Sequence, residues 1–102
     1  VLSIHHNSNT SSSPVGVETL YFYSFNQGFA KAVNDEVYGM YRKGSTNRGA
    51  RFQSVFQIRN HNYTAALIEC GFMSNPTEYE WLCANSDKIG IAIADGILKY
   101  FS

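Results

Sequence analysis

The chain has no excess charge of either sign: eight Lys and Arg stand against eight Asp and Glu, for a formal net charge of zero. That excludes the basic footprint of a nucleic-acid binder and a polybasic patch for an anionic membrane surface. No apolar run approaches the roughly 20 residues that span a bilayer, so membrane insertion is not expected. Cysteine is scarce. Cys70 and Cys83 are too few for a disulfide framework and lack the spacing of a zinc pair, so both are expected to be buried thiols. No internal repeat and no linker interrupts the 102 residues, a length that fits one domain or part of one. The signal-peptide pattern of positive region, apolar core and small-residue cleavage site is missing too. VLSI begins instead inside an apolar stretch, and the expectation is a chain entered partway through a domain.

What is present centres on Ala65 to Glu80, AALIECGFMSNPTEYE. It opens as a buried strand interrupted by one carboxylate, Glu69. An unpaired carboxylate in a buried strand is costly, so an ion, a partner or a proton must compensate it; the other reading places Glu69 at a solvated rim. Gly71 is expected to break the strand. Asn75-Pro76 then starts a helix, with Asn75 as cap, Pro76 in the first turn and Glu78 three residues after the cap.

Along the rest of the chain, Leu2 and Ile4 alternate with Ser3 and His5 as in a strand. SNTSSSP, residues 8–14, is a polar loop. GVETLYFY, residues 16–23, is a second strand with Glu18 as its only charge. Ser24 and Gln27 form a capping-box pattern for a helix to about Arg42, with Phe29, Val33, Val37 and Met40 as its apolar face and Lys31, Asp35 and Arg42 solvated. Gly44 ends it. Residues 45–50 are expected as a loop, 52–59 as a strand and 60–62 as a turn. Ser86 caps a last helix whose apolar face is Ile89, Ile93, Ile97 and Tyr100. Strands mixed with amphipathic helices predict a layered α/β domain, in which ligands gather at the C-terminal strand ends. His5 and Glu69 both fall there.

An imidazole at a rigid strand end suits zinc, or else a hydrogen bond within the fold. His6 points to the other face and cannot share an ion with His5. His61 is expected on the surface.

SIHHN (residues 3–7), GVETLYFY (16–23), NRGA (47–50) and ALIECGFMSNPTEYEWL (66–82) occur in this order, followed by IAIADGILKYF in the closing helix. Together they resemble the zinc-dependent N-acetylmuramoyl-L-alanine amidases of the LytC/AmiC type, the Amidase_3 family. The resemblance covers essentially the whole chain, and the GF-x-SNP-x-E run is its most specific part. It implies an α/β fold, a twisted, mostly parallel sheet flanked by helices in three layers, here lacking its N-terminal part, so that residues 1–102 are the C-terminal portion of one catalytic domain. It implies a single zinc ion held by two histidines and a glutamate, of which His5 is the one present. The other two ligands are expected in the remainder of the domain upstream of Val1. It implies Glu69 as the catalytic acid/base.

Asn7, Asn47 and Arg48 are candidates for substrate contact, each with an alternative: a strand-ending turn for Asn7, loop fixation for Asn47 and Arg48. Glu18 either supports the zinc site from behind or is an exposed strand-end carboxylate. The implied reaction is hydrolysis of the amide between N-acetylmuramic acid and L-alanine in bacterial peptidoglycan, by a secreted autolysin, a sporulation or germination enzyme or a phage endolysin acting outside the cell or in its wall. The competing readings are a non-catalytic cell-wall-binding fragment, another zinc peptidase such as a carboxypeptidase, and a fragment inactive by itself.

Overall fold

The computed structural model describes residues 1–60 and 62–102. Four strands form one mixed sheet: β1 (Leu2–Asn7), β2 (Val17–Tyr21), β3 (Asn47–Phe52) and β4 (Ala66–Phe72), in the order β1-β4-β2-β3. β1 runs parallel to β4 and β2 parallel to β3, while β2 and β4 meet antiparallel at the centre. The expected α/β sheet flanked by helices is therefore present, and two of its three strand pairs are parallel.

Side-chain alternation decides what covers each face. Val17, Ala66, Ile68 and Cys70 turn to one side, where they pack with Phe29, Ala30, Val33 and Val37 of α1 (Gln27–Gly39), Leu82 of α3 (Pro76–Ala84) and Ile89, Ala92 and Ile93 of α4 (Ser86–Phe101). Leu20, Ala65 and Leu67 turn to the other side and are covered by Ile58 of the short α2 (Phe56–Arg59). The three layers are thus unequal, with most apolar burial on the α1/α4 side.

Several local expectations give way to packing. Residues 47–52 pair as β3 rather than looping. Residues 56–59 form a helical turn rather than continuing a strand, because Val55 and Ile58, three apart, are the residues that reach the core while Phe52 and Phe56 stay exposed. Gly71 lies inside β4, at φ +150°, instead of ending it. The Ser24–Gln27 capping box does not form: Ser24–Asn26 is a 3-10 turn, and α1 begins without a side-chain cap. Asn75 does cap α3, its side chain accepting the Glu78 amide at 3.1 Å. Asn85, not Ser86, occupies the cap position of α4. Cys70 is buried, but Cys83 is exposed. The expected turn at 60–62 includes His61, which lies outside the described residues.

The helix expected to reach Arg42 stops at Gly39, and Arg42 turns inward. Its Nη2 donates to Glu78 Oε2 at 2.8 Å, with 14% of the Arg side chain and none of the Glu side chain exposed. Ser45 Oγ donates to the same oxygen at 2.5 Å, and the amides of Gly16 and Phe72 donate to Oε1 at 2.9 and 3.0 Å. Burial pushes the Glu78 carboxyl up, but Ser45, the two amides and Arg42 outweigh it and hold the group below the usual carboxylate range. A depressed folded-state pKa contributes stability above the unfolded value and loses it as pH falls through the folded one. Two outcomes are expected in urea unfolding. Arg42→Ala lowers stability by about 3 kcal/mol, because it leaves a buried charge without its partner. Acidification below pH 4.5, the ordinary carboxyl value, lowers the wild-type midpoint more steeply than that of Glu78→Gln.

Candidate functional site

Three side chains share one row across the sheet. His5 of β1 lies in register with Glu69 of β4, and Glu69 lies in register with Glu18 of β2. Because β1 and β4 are parallel, His5 and Glu69 both stand toward their C-terminal ends. The antiparallel β2 brings in Glu18 near its start. The structure thus joins residues 5, 18 and 69 on the face that carries Leu20 and Leu67, beyond the reach of the small α2 cover.

Glu69 is half-buried, and its Oε2 is enclosed without a hydrogen-bond partner. Burial raises its pKa; nearby Glu18 raises it further, and His5 lowers it. A carboxylate with a free, poorly solvated oxygen beside an imidazole can take up and return a proton. His5 is exposed, with Nε2 2.7 Å from Ser3 Oγ. His6 faces the opposite side, as the alternation requires, near Cys70 and Ile89.

Glu18 is 8% exposed and well partnered. Asn7 Nδ2 donates to its Oε2 at 2.6 Å, while Arg51 Nη1 and Arg48 Nε approach Oε1 at 3.4 and 3.5 Å. Of the two readings of Glu18, the exposed strand-end carboxylate is ruled out. Arg48 also lies over the Phe72 ring, 5.0 Å from its centroid. Asn47 is exposed, and its Oδ1 accepts from Asn34 Nδ2 at 2.8 Å and from the Gly49 amide at 3.0 Å.

Two residues central to this architecture were given no role of their own from the sequence, although Glu78 closes the GF-x-SNP-x-E run. Glu78, at the third position after its cap, fits a helix-start pattern that conceals its inward turn. Arg51 sits in a segment expected as loop and strand boundary.

Fold and site together define an α/β domain that sets an imidazole and two carboxylates in one row across its sheet. Residues 1–99 match Amidase_3, N-acetylmuramoyl-L-alanine amidase, and the chain belongs to that family. It is 33% identical over 105 residues to the germination-specific N-acetylmuramoyl-L-alanine amidase of Bacillus subtilis (strain 168), covering 99% of this chain and 44% of that protein. Its fold matches the catalytic domain of CwlV, an N-acetylmuramoyl-L-alanine amidase from Bacillus (Paenibacillus) polymyxa var. colistinus, with a TM-score of 0.88 and 34% identity over 98% of this chain and 56% of that one. The CwlD amidase from Clostridioides difficile, solved in complex with the GerS lipoprotein, matches with a TM-score of 0.88 at 30% identity, over 98% of this chain and 53% of that one. The chain therefore spans about half the length of these relatives.

The two thiols are chemically distinct. Burial, with Glu69 nearby, pushes the Cys70 thiol up to about 12, which keeps it protonated and unreactive at neutral pH, whereas Cys83 is exposed. Maleimide labelling of the native protein at neutral pH is expected to modify Cys83 alone, with Cys70 reacting only after unfolding; peptide mapping by mass spectrometry checks this.

Proposed function

We propose that this chain supplies the acid/base carboxylate and one metal-binding imidazole of a zinc-dependent peptidoglycan amidase, which cleaves the amide between N-acetylmuramic acid and L-alanine. The observation that carries the reading is the placement of Glu69: in register with His5, with one enclosed oxygen left unpaired. Membership of the amidase family supports it.

The donor chemistry fits a zinc ion at His5. The imidazole is exposed on β1, an edge strand, and the neighbouring Glu69 oxygen has no competing partner. Among the described residues no three of His, Cys, Asp and Glu come together as a metal cluster. His5 would thus be one ligand, with the others supplied by the half of the relatives' length not spanned here. When bound, zinc supplies Lewis-acid activation of water and of the amide carbonyl.

The chain's own residues then divide the work. Glu69 Oε2 accepts the proton of the attacking water and returns it to the departing nitrogen, a transfer that matters because an amide nitrogen leaves poorly unless protonated. Its raised pKa makes that return easier than for a fully solvated carboxylate. Glu18 draws Asn7, Arg48 and Arg51 into one cluster beside it. The exposed guanidinium edges there suit the carboxylates of a stem peptide, which Arg binds as a fork. The reaction places the protein outside the cell or in the wall, and among the described residues no helix is long and apolar enough to cross a membrane.

Digestion of purified muropeptides by the intact protein is expected to create new L-alanine amino termini and leave the glycan strands uncut. Release of free terminal amino acids would indicate a carboxypeptidase, and binding without products a wall-binding module. Glu69→Gln is expected to keep zinc and lose turnover by about a hundredfold or more; normal turnover removes Glu69 from the mechanism. His5→Ala is expected to lose zinc on dialysis, and full metal content by atomic absorption contradicts its role as ligand.

A further inference from the structure

Both strand pairs that flank the site are irregular, and the irregularities face each other. Between the His5–Glu69 and Asn7–Phe72 pairings, β4 carries one residue more than β1. Between the Val17–Asn47 and Glu18–Gly49 pairings, β3 carries one more than β2, and that residue is Arg48. A bulge of this kind bends a strand and re-aims its side chains. The first sets Asn7 opposite Phe72, with the Met73 amide donating to the Asn7 carbonyl at 2.8 Å. The second turns Arg48 onto Phe72 and toward Glu18. Asn7 and Arg48 thus reach the same carboxylate because two strands are each one residue out of step.

A bulge leaves backbone groups without ladder partners, and something must satisfy them. Here one carboxylate oxygen answers the β4 bulge and the backbone entering β2. Glu78 Oε1 accepts the amide of Phe72, at the β4 bulge, and the amide of Gly16, the residue before β2. The backbone on both sides is tightly shaped. Gly16 has φ +128°, and a Cβ there would lie 2.7 Å from the Arg48 side chain and 2.6 Å from the Thr46 carbonyl oxygen. Gly71 has φ +150°, and a Cβ there would lie 3.2 Å from Glu78 Oε1. The other oxygen, Oε2, is anchored by Arg42 and Ser45.

We infer that Glu78 is a positioning residue of the site: its Oε1 clamps the β4 bulge to the start of β2 and so holds Asn7, Arg48 and Glu18 beside Glu69. It acts through Phe72 and Gly16 and touches neither substrate nor metal. The inference rests on the amidase reading for its kinetic arm alone.

Two conservative variants of the intact protein separate this role from that of a buried ion pair. Glu78→Gln keeps an oxygen at the Oε1 position, able to accept both amides, but loses the charge. Glu78→Asp keeps the charge for Arg42 but is one methylene shorter and cannot reach both amides. Positioning predicts that, per folded molecule, Glu78→Asp loses about a hundredfold in kcat while Glu78→Gln stays within about tenfold of wild type. It also predicts that the Phe72 and Gly16 amides exchange hydrogen at least about tenfold faster in Glu78→Asp than in Glu78→Gln, because they lose their acceptor. An ion-pair role predicts the opposite order. Glu78→Asp matching or exceeding Glu78→Gln in kcat, unchanged exchange at both amides in Glu78→Asp, or a Glu78→Gln protein that does not fold, each overturns the inference. A wild-type protein inactive on muropeptides would refute the amidase reading, and the exchange comparison then decides the positioning by itself.

Discussion

A carboxylate shut off from water, with four donors around its two oxygens, is the constraint on which the arrangement around Glu18 depends. Glu78 reaches from α3 to the end of β4, to the approach to β2 and to the segment after α1. These are separate parts of the chain, and the antiparallel β2–β4 pairing ends at Glu18 and Glu69, short of Gly16 and Phe72. A buried charge tolerates such a place only when every acceptor site is answered, and here it is. The full set of partners also makes the contact directional: a hydrophobic side chain of the same volume would fill the space without setting the strand ends in register.

Glu78 and Glu69 show how surroundings divide one chemistry into two roles. Both leave water on folding. Glu78 finds two amides, a hydroxyl and a guanidinium, which favour the charged form. Glu69 keeps one enclosed oxygen with no partner and has Glu18 in the next strand, both of which favour holding a proton. A carboxylate whose lone pairs are all engaged cannot exchange protons without dismantling its site. One with an oxygen in reserve can. Glu18 is engaged by Asn7 and approached by Arg48 and Arg51 at longer range.

Much of this was legible before any coordinates. The strand at residue 66, its interrupting acid, the Asn75-Pro76 helix start and the apolar stripe of the last helix follow from period and capping, which are local signals. The α/β layering followed from the mixture of elements. The pairing of His5 with Glu69 followed from the family resemblance and the strand-end argument, and the register bears out their proximity. The failures share a cause. Residues 47–59 took their form from β2 and from the core beneath Ile58, neither of which is written into that segment's own pattern. Arg42 looked like one more cation on a solvated helix face, and Glu78 like one more acid in a first turn. Their meeting is a tertiary event between residues 36 positions apart, and each was satisfied locally by a simpler account.

The pairing of β1 with β4 has a kinetic corollary. The amino group of Val1 donates to the Thr64 carbonyl, 63 positions along the chain, and the whole β1–β4 ladder has comparable reach. Closing so long a loop carries an entropic penalty that the helices, built from near neighbours, do not incur. Packing α1 against α4 closes a loop just as long, since Lys99 bonds Glu36, 63 positions away, so among these pairings β2 against β3 is the shortest closure and forms ahead of the other two. His5 is set beside Glu69 only when the long β1–β4 loop closes, so a chain caught midway has helix content without that pair in place.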